Sequence, residues 1–291
     1  MYSPGCNARS VAEYITAALL HLAVTHAQPL AGQTLGIVGV GNVGSKVVQQ
    51  AQALGMKVLL CDPPRQRSEN TNIFCDLDTL LSHSDFVTLH VPLEKSGPDA
   101  TWHMANRSFF ARMKRGSFFI NAARGAVVES GALLEAIDIA QVKAVVLDTW
   151  EGEPNVSEAL LSRVEIGTPH IAGHSFEGKV NGTIMVYEAA CRFLQRPSAF
   201  NPVEYLPQTK QPLIPFTATG NNAQDLHALV QQIYDIRKDD AQFRDAAQKP
   251  GGFDALRRNY PIRREFVNTT VTDIPNAATA QQVSALGFSV A

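Results

Sequence analysis

Three short stretches of the chain carry an arginine, a glutamate and a histidine that together could oxidise an alcohol. Arg124 lies in NAARGAVV, Glu153 in DTWEGEP and His170 in TPHIAGHS. Removing a hydride from an alcohol carbon requires a base for the hydroxyl proton, and histidine suits this role because its unperturbed pKa is about 6.5. A nearby carboxylate orients the imidazole and raises its pKa, and an arginine binds a substrate carboxylate or a developing oxyanion. We therefore expect His170 to be the base, Glu153 the orienting acid and Arg124 the substrate clamp.

Each of these residues also has a simpler interpretation. A histidine after a proline is often a hydrogen-bonding loop residue, Glu153 could be a solvated turn residue, and Arg124 could cap a helix or pair at the surface. Their joint occurrence in this order along the chain, with Arg124 and Glu153 following the ends of successive predicted strands, favours the catalytic interpretation. For Asp148 the sequence leaves two alternatives open: a contact to a nicotinamide carboxamide, or simply the end of a strand.

A glycine-rich turn, GIVGVGNVG at 36–44, precedes these stretches. Gly39, Gly41 and Gly44 form the G-x-G-x-x-G pattern of dinucleotide-binding proteins. In that pattern the first glycine permits a tight turn, the second lets the backbone approach a pyrophosphate, and the third allows close packing of a helix on a strand. Asp62 lies 18 residues after Gly44. This is close to the spacing of about 20 expected for the carboxylate that binds the adenosine ribose.

The choice between NAD and NADP depends on the carboxylate of Asp62. It would repel the 2′-phosphate of NADP, so the sequence predicts NAD as the cofactor. Arg65 and Arg67 lie nearby and keep NADP open as the alternative. A purely structural glycine turn is the other alternative, which the position of Asp62 disfavours.

Short apolar runs alternate with helical patterns around these residues, which predicts a doubly wound α/β fold of the Rossmann type. The runs are continuously apolar, as expected for a parallel sheet that is covered on both faces. Ligands of such sheets bind at the carboxyl ends of the strands, where the candidate residues lie. The predicted strands cover 35–40, 57–61, 86–90, 117–121 and 144–148.

The composition changes after a predicted helix at 176–195. We assign residues 1–195 to an NAD-binding domain and 216–291 to a C-terminal α+β domain. Residues 196–215 contain five prolines and read as an extended linker. Within the C-terminal domain, the apolar spacing over 223–247 predicts a helix.

Composition excludes several classes of protein. A net charge of -2 and a pI of about 6.4 argue against a nucleic-acid-binding surface or an anionic-membrane footprint. The most apolar helical stretch, at 11–24, carries Glu13 and His21 and is too short to span a bilayer. The four cysteines show no C-x-x-C pairing, so we expect reduced thiols, no metal site and a cytoplasmic location without a signal peptide.

The motifs GVGNVG, ARG, WEGEP and PHIAG together resemble those of the D-2-hydroxyacid dehydrogenase family. This resemblance implies an NAD-dependent enzyme in which arginine, glutamate and histidine act as proposed above. It also implies a nucleotide domain paired with a substrate domain.

Longer stretches are similar to one branch of that family, the erythronate-4-phosphate dehydrogenases of vitamin B6 synthesis. They include LDTWEGEP and HIAGHSFEGK, together with YDIRKDDAQFR and PGGFDALRRNYPIRRE in the tail. The resemblance implies oxidation of the C2 hydroxyl of 4-phospho-D-erythronate to 2-oxo-3-hydroxy-4-phosphobutanoate. It further implies a homodimer formed through the C-terminal domain.

The resemblance also assigns individual residues. His174 stands at a substrate-contacting position where the branch usually has tyrosine, and Val91 stands where it often has threonine. The implied cofactor contacts, besides the three glycines, are Asn42, Val43, Asp62, Ala122, Ala123, Arg124, Asp148 and Gly173.

Members of this branch have a further segment, about one small domain long, ahead of the PGCN that begins at Pro4. It builds most of their substrate-binding lid, and we expect this chain to lack it, whether through a mis-assigned start at Met1 or a truncated gene. Two functional alternatives therefore stay open. One is a non-catalytic NAD-binding dimer, and the other is a dehydrogenase for a different acid, such as glycerate or 3-phosphoglycerate.

Overall fold

A computed structural model describes residues 3–200 and 206–291 of the chain. Its larger unit is built on a six-stranded parallel sheet, which contains each of the five predicted strands with ends shifted by two residues at most. A sixth strand was not predicted because a run of two residues shows no periodicity. The strands are β1 (Thr34–Val38), β2 (Lys57–Cys61), β3 (Phe86–Leu89), β4 (Ser117–Asn121), β5 (Val142–Leu147) and β6 (Ile166–Gly167).

The strand order is β2-β1-β3-β4-β5-β6, and every pair is parallel. The chain leaves β1 toward one edge to form β2 and then crosses back to place β3 on the other side of β1. The order reverses at this point, so a crevice opens between the carboxyl ends of β1 and β3. Every residue of β3 and β4 is buried. The predicted doubly wound fold is confirmed.

Helices cover both faces of the sheet. Several begin at an Asp, Asn or Ser whose side chain accepts a hydrogen bond from a first-turn N–H, which explains where they start. Among the helices of the described residues, none is both long enough and apolar enough to cross a bilayer. They are α1 (Ala8–Thr25), α2 (Asn42–Ala53), α3 (Pro63–Glu69), α4 (Leu77–His83), α5 (Arg107–Arg112), α6 (Ser130–Asp138), α7 (Glu158–Leu161) and α8 (Phe176–Phe193).

The C-terminal unit combines a small parallel sheet with four helices, as the predicted α+β class requires. The sheet has the order β7-β8-β9. Its strands are β7 (Leu213–Pro215), β8 (Thr270–Thr272) and β9 (Ser289–Val290), and the helices are α9 (Asn222–Ile233), α10 (Ile236–Ala246), α11 (Gly252–Arg258) and α12 (Ala277–Ala285).

Two expectations for this unit need correction. The predicted linker at 196–215 is too long, because residues 213–215 form β7 and pair with β8; its residues 201–205 lie outside the described part. The single helix predicted over 223–247 is two helices, α9 and α10. The break arises because Tyr234 and Asp235 are extended, and the Asp235 carboxylate accepts a hydrogen bond from Arg237 N, 3.3 Å away, to start α10.

The two units share one hydrophobic core through α1. This helix is buried along most of its length and packs against both α2 and α9. Leu19 and Leu22 of α1 belong to the same apolar cluster as Leu226 and Leu229 of α9. The C-terminal unit is therefore packed onto the nucleotide-binding fold and is not a separate body on a tether.

A buried arginine strengthens this junction. Arg263 donates to Ser10 O at 2.9 Å and to Ala172 O at 3.3 Å, and its guanidinium lies 3.7 Å from the centroid of the Tyr234 ring. Its Nη2 is also 3.6 Å from the Glu13 carboxylate, whose pKa burial raises to about 8. One side chain from the C-terminal unit thus contacts the start of α1 and the loop that follows β6.

Candidate active site

The glycine turn connects β1 to α2 at the crevice. Gly39 has φ +87°, and a Cβ there would come within 2.6 Å of His90 O, so this position requires glycine. A Cβ on Gly44 would collide with Gly39 O, whereas a Cβ on Gly41 would meet open space. Gly41 is also the N-cap of α2 and provides no side-chain cap. The start of α2 therefore offers backbone N–H groups and its positive end to an anion.

Asp62, the residue directly after β2, faces this turn. One carboxylate oxygen accepts from Val40 N at 2.8 Å and the other from Arg65 N at 3.0 Å. The carboxylate is therefore fixed at the mouth of the turn, where each oxygen keeps a lone pair for a ribose hydroxyl.

Arg65 and Arg67, the two arginines that could have favoured NADP by binding its 2′-phosphate, already have carboxylate partners. Arg65 Nε lies 2.6 Å from Glu69 Oε1, and Arg67 pairs with Asp99. These pairs leave the turn without an unpartnered guanidinium from either residue, which agrees with NAD.

His170 and Glu153, the predicted base and its orienting acid, are in direct contact. His170 Nδ1 lies 2.6 Å from Glu153 Oε1, and Glu153 Oε2 accepts from Trp150 N at 3.1 Å. Burial would raise the pKa of Glu153, but the hydrogen bond and the charge of His170 outweigh it and lower that pKa below its ordinary value. The carboxylate therefore stays ionised at neutral pH, and Nε2 is the ring nitrogen left for a substrate.

Asp148 holds the loop that carries His170. Its Oδ1 accepts from Thr168 Oγ1 at 2.6 Å and from Ile171 N at 2.7 Å, and its Oδ2 accepts from Ala172 N at 3.0 Å. The sequence left two alternatives for Asp148, and the structure adds this third role. Burial raises the pKa of Asp148 against the effect of these hydrogen bonds.

Arg124 lies three residues beyond the end of β4, with an exposed side chain. Its Nη1 donates to Ala123 O at 2.7 Å, and Asn121 fixes the loop by donating to Arg124 O at 3.2 Å. Gly125 packs directly on the backbone of Trp150, which places the turns after β4 and β5 side by side.

Most of the predicted site residues line two adjoining cavities along the carboxyl ends of the strands. A cavity of about 690 Å³ holds His170 and Arg124 together with other predicted residues: Asn42, Val43, Val91, Ala122, Ala123, Asp148, Gly173 and His174. A second cavity of about 620 Å³ holds Gly39, Gly41 and Asp62. The two share His90, Val91 and Pro92, so they form one elongated cleft. Gly44 packs behind the turn and Glu153 lies behind His170, outside the cleft.

The two further histidines of the first cavity are held neutral. Burial lowers the pKa of His90 to about 3. Burial, followed by the charges of Lys179 and Arg257, lowers the pKa of His174 to about 4. The His174 ring packs edge-on against Tyr260 with centroids 5.7 Å apart, and its buried Nδ1 has no hydrogen-bond partner among the described residues.

Sequence reasoning missed several residues of this cavity. Pro4, Gly5 and Asn7 reach it from the chain before α1, and Arg257 reaches it from α11 in the C-terminal unit. The stretch that contains Arg257 was assigned only to a dimerisation domain. Two adjacent arginines on a short helix were the available signal, but the sequence does not say which of them faces a cavity.

Comparisons with known proteins relate the chain to dehydrogenases. Residues 14–172 match the family of D-isomer specific 2-hydroxyacid dehydrogenase NAD-binding domains, and residues 205–287 match a domain of unknown function (DUF3410). The erythronate-4-phosphate dehydrogenases of Cronobacter sakazakii and Yersinia enterocolitica are 45% and 42% identical over 99% of this chain, which covers 75% and 76% of their lengths. The crystal structure of D-lactate dehydrogenase from Aquifex aeolicus, complexed with NAD and lactic acid, superposes with a TM-score of 0.53 and 29% identity, covering 65% of this chain and 67% of that one.

Proposed function

Because the chain belongs to the erythronate-4-phosphate dehydrogenases, a branch of the D-isomer specific 2-hydroxyacid dehydrogenases, we propose that it oxidises 4-phospho-D-erythronate with NAD. The product is 2-oxo-3-hydroxy-4-phosphobutanoate, formed at C2 in the synthesis of vitamin B6. The observation that carries the proposal is the 2.6 Å contact between His170 and Glu153 beside the cavity that also holds Arg124.

The residues of the cleft fit NAD. Gly41 and the start of α2 would hold the pyrophosphate, and Asp62 would bind the adenosine ribose. Ala122, Ala123 and Asp148 line the other half of the cleft, toward the nicotinamide end. When bound, NAD accepts the hydride that leaves C2.

His170 performs the proton transfer in this proposal. Its Nδ1 is occupied by Glu153, so Nε2 accepts the proton of the C2 hydroxyl as the carbonyl forms. The imidazolium that results is stabilised by the Glu153 carboxylate, which is already ionised because its pKa lies below the ordinary value. Asp148 keeps the ring in place through the backbone of Ile171 and Ala172.

Arg124 binds the substrate carboxylate. One of its nitrogens is fixed by Ala123 O, which orients the guanidinium at the cavity wall and leaves its other N–H groups available. A guanidinium can bind a carboxylate through two parallel hydrogen bonds, which would present C2 of the acid to His170 in a defined orientation.

The test is turnover by the full chain. NADH formation is measured with 4-phospho-D-erythronate, D-glycerate and 3-phosphoglycerate as separate substrates. We expect the highest kcat/KM for 4-phospho-D-erythronate. A higher kcat/KM for D-glycerate or 3-phosphoglycerate would assign that acid as the substrate instead. Binding of NADH by calorimetry without turnover of any acid would instead favour the non-catalytic alternative.

We also propose that the protein is a homodimer that forms through its C-terminal domain. Leu213, Ile262 and Val267 of this unit are exposed, and a dimer formed through the C-terminal domain could cover them. Light scattering after size exclusion measures the mass directly, and a mass of one chain would rule the dimer out.

The four free cysteines support a location in the reducing cytoplasm.

A further inference from the structure

Arg257 stands out among the arginines of the C-terminal unit because it is half-buried and yet has no carboxylate partner among the described residues, whereas Arg258, which also has none, is exposed. Arg237, Arg244, Arg263 and Arg264 each lie within 4 Å of a carboxylate. Arg257 has no such carboxylate among the described residues, and its buried Nε lacks a hydrogen-bond partner there. A half-buried guanidinium without an anion is unfavourable unless a ligand supplies that anion.

The guanidinium of Arg257 lies against a row of aromatic rings that contact one another edge-on or at a tilt. It lies 5.6 Å from the centroid of the Phe253 ring. Phe253 packs on Phe243 at 5.8 Å, and Phe243 packs on Trp150 at 5.6 Å. Trp150 in turn donates its backbone N–H to Glu153. The position of Arg257 is thus fixed relative to the pair of Glu153 and His170.

The charges around Arg257 favour an anionic ligand. Asp148 is the one carboxylate that lines this cavity within the described residues, and it already accepts three hydrogen bonds. Arg124 and Arg257 both line the cavity. The positive potential reaches His174, where burial and the charges of Lys179 and Arg257 lower the pKa to about 4.

We propose that Arg257 binds the phosphate group of the substrate while Arg124 binds its carboxylate. A planar guanidinium fork matches the oxygens of a phosphomonoester, with which it forms charge-assisted hydrogen bonds. The inference rests on the proposed function, since it concerns the same cavity. It extends that function by assigning a phosphate contact to the C-terminal unit and by restricting the substrates to 2-hydroxy acids that carry a second anionic group.

The experiment compares three variants on two substrates. Arg257→Gln and Arg257→Lys are measured beside Arg258→Gln, in which the exposed neighbour on the same helix is changed as the control. The substrates are 4-phospho-D-erythronate and D-erythronate, which lacks the phosphate. We expect Arg257→Gln to raise KM for the phosphorylated acid about 10- to 100-fold, the worth of one or two charged hydrogen bonds, and to lower kcat/KM for D-erythronate far less. Arg257→Lys should recover part of the loss, and Arg258→Gln should behave as wild type.

A second measurement separates this inference from the function on which it rests. Inorganic phosphate is titrated calorimetrically into the NADH-loaded wild type and into each variant. We expect weaker binding in Arg257→Gln only, whether or not turnover is observed. Equal losses on both acids, or unchanged phosphate binding in Arg257→Gln, would overturn the assignment of Arg257. Absent turnover with intact, Arg257-dependent phosphate binding would overturn the proposed reaction instead.

Discussion

Two histidine–glutamate pairs lie close together in this fold, and only one of them borders the cleft. His103 Nε2 lies 2.5 Å from Glu151 Oε1, and His170 Nδ1 lies 2.6 Å from Glu153 Oε1. The side chains are exposed to similar degrees, 25% and 30% in the first pair and 28% and 27% in the second. Both histidines also have a left-handed backbone, with φ of +50° and +57°.

The two pairs differ in their surroundings. His170 lines the cavity together with Arg124, whereas His103 lines neither half of the cleft and stacks on the exposed Trp102 ring with centroids 3.9 Å apart. A short contact to a glutamate and a left-handed backbone therefore do not by themselves distinguish the proposed base, His170, from His103. Its position at the carboxyl ends of the strands, beside the glycine turn, is what distinguishes His170.

The largest difference in kcat between the two pairs should appear when each histidine is replaced by alanine. We expect His170→Ala to lower kcat about 10²- to 10⁴-fold, since general base catalysis is lost. His103→Ala, away from the cleft, should change kcat by less than about 2-fold. Rates of NADH formation at saturating substrate measure both. Similar losses of kcat in the two variants would mean that His170 is not the base.

Substitution of the two glutamates should also affect kcat unequally, but by a smaller factor than substitution of the histidines. Glu153→Gln keeps the shape but removes the charge that stabilises the imidazolium, so we expect kcat to fall about 10- to 100-fold. Glu151→Gln, two residues away, serves as the matched control and should leave kcat near the wild-type value. If the two variants are equally active, Glu153 does not orient the base.

Both glutamates should contribute to the pH dependence of the free energy of unfolding in the same way. Burial acts to raise the pKa of both carboxyl groups, but it is outweighed in each case. Hydrogen bonds with Ser130 and His103 lower the pKa of Glu151 below its ordinary value. The hydrogen bond with His170 and its charge lower the pKa of Glu153. A lowered pKa in the folded state adds stability that is fully present above the ordinary value of 4.5 and is lost as the pH falls through the folded value.

We therefore expect Glu151→Gln and Glu153→Gln each to lower the free energy of unfolding by about 1 kcal/mol at pH 7. The difference from wild type should shrink as the pH falls below 4.5. Urea unfolding at a series of pH values measures this. A difference that stays constant with pH would show that the two charges are not its origin.

The smallest effect should come from the stacking partner of His103. Trp102 is 51% exposed, so Trp102→Ala should cost only about 0.5 kcal/mol of stability, the low end for an aromatic pair. We expect kcat to be unaffected. A clear loss of activity in this variant, with the fold intact by circular dichroism, would show that the pair of His103 and Glu151 affects the reaction in the cleft.

The parts of the molecule that sequence predicted well are those fixed by local rules. The glycine turn is one example, because Gly39 and Gly44 occupy positions that exclude a Cβ, and such positions leave a fixed spacing in the sequence. The five predicted strands are another, since buried parallel strands are short and continuously apolar. The contact of His170 with Glu153 agrees with the prediction made from the residue types and their order along the chain.

The parts that were missed depend on distant contacts. The break between α9 and α10 lies at Tyr234, a buried residue whose hydroxyl donates to Asp239, and the apolar pattern runs through it unchanged. Residues 213–215 read as linker because their strand partners lie more than fifty residues later. Arg257 could not be told from Arg258 by sequence, since only the packing of α11 decides which side chain meets the cavity.

The contacts of Arg263 make the C-terminal unit unsuitable as a detachable module. Its guanidinium satisfies Ala172 O, two residues after His170, and provides the cation nearest to the buried Glu13. Excision of the tail would leave that carbonyl and that carboxylate without their partner, and would uncover the apolar side of α1. Thermal denaturation should consequently proceed in a single step, and recombination of this nucleotide-binding fold with an unrelated tail should disorganise the loop that carries His170.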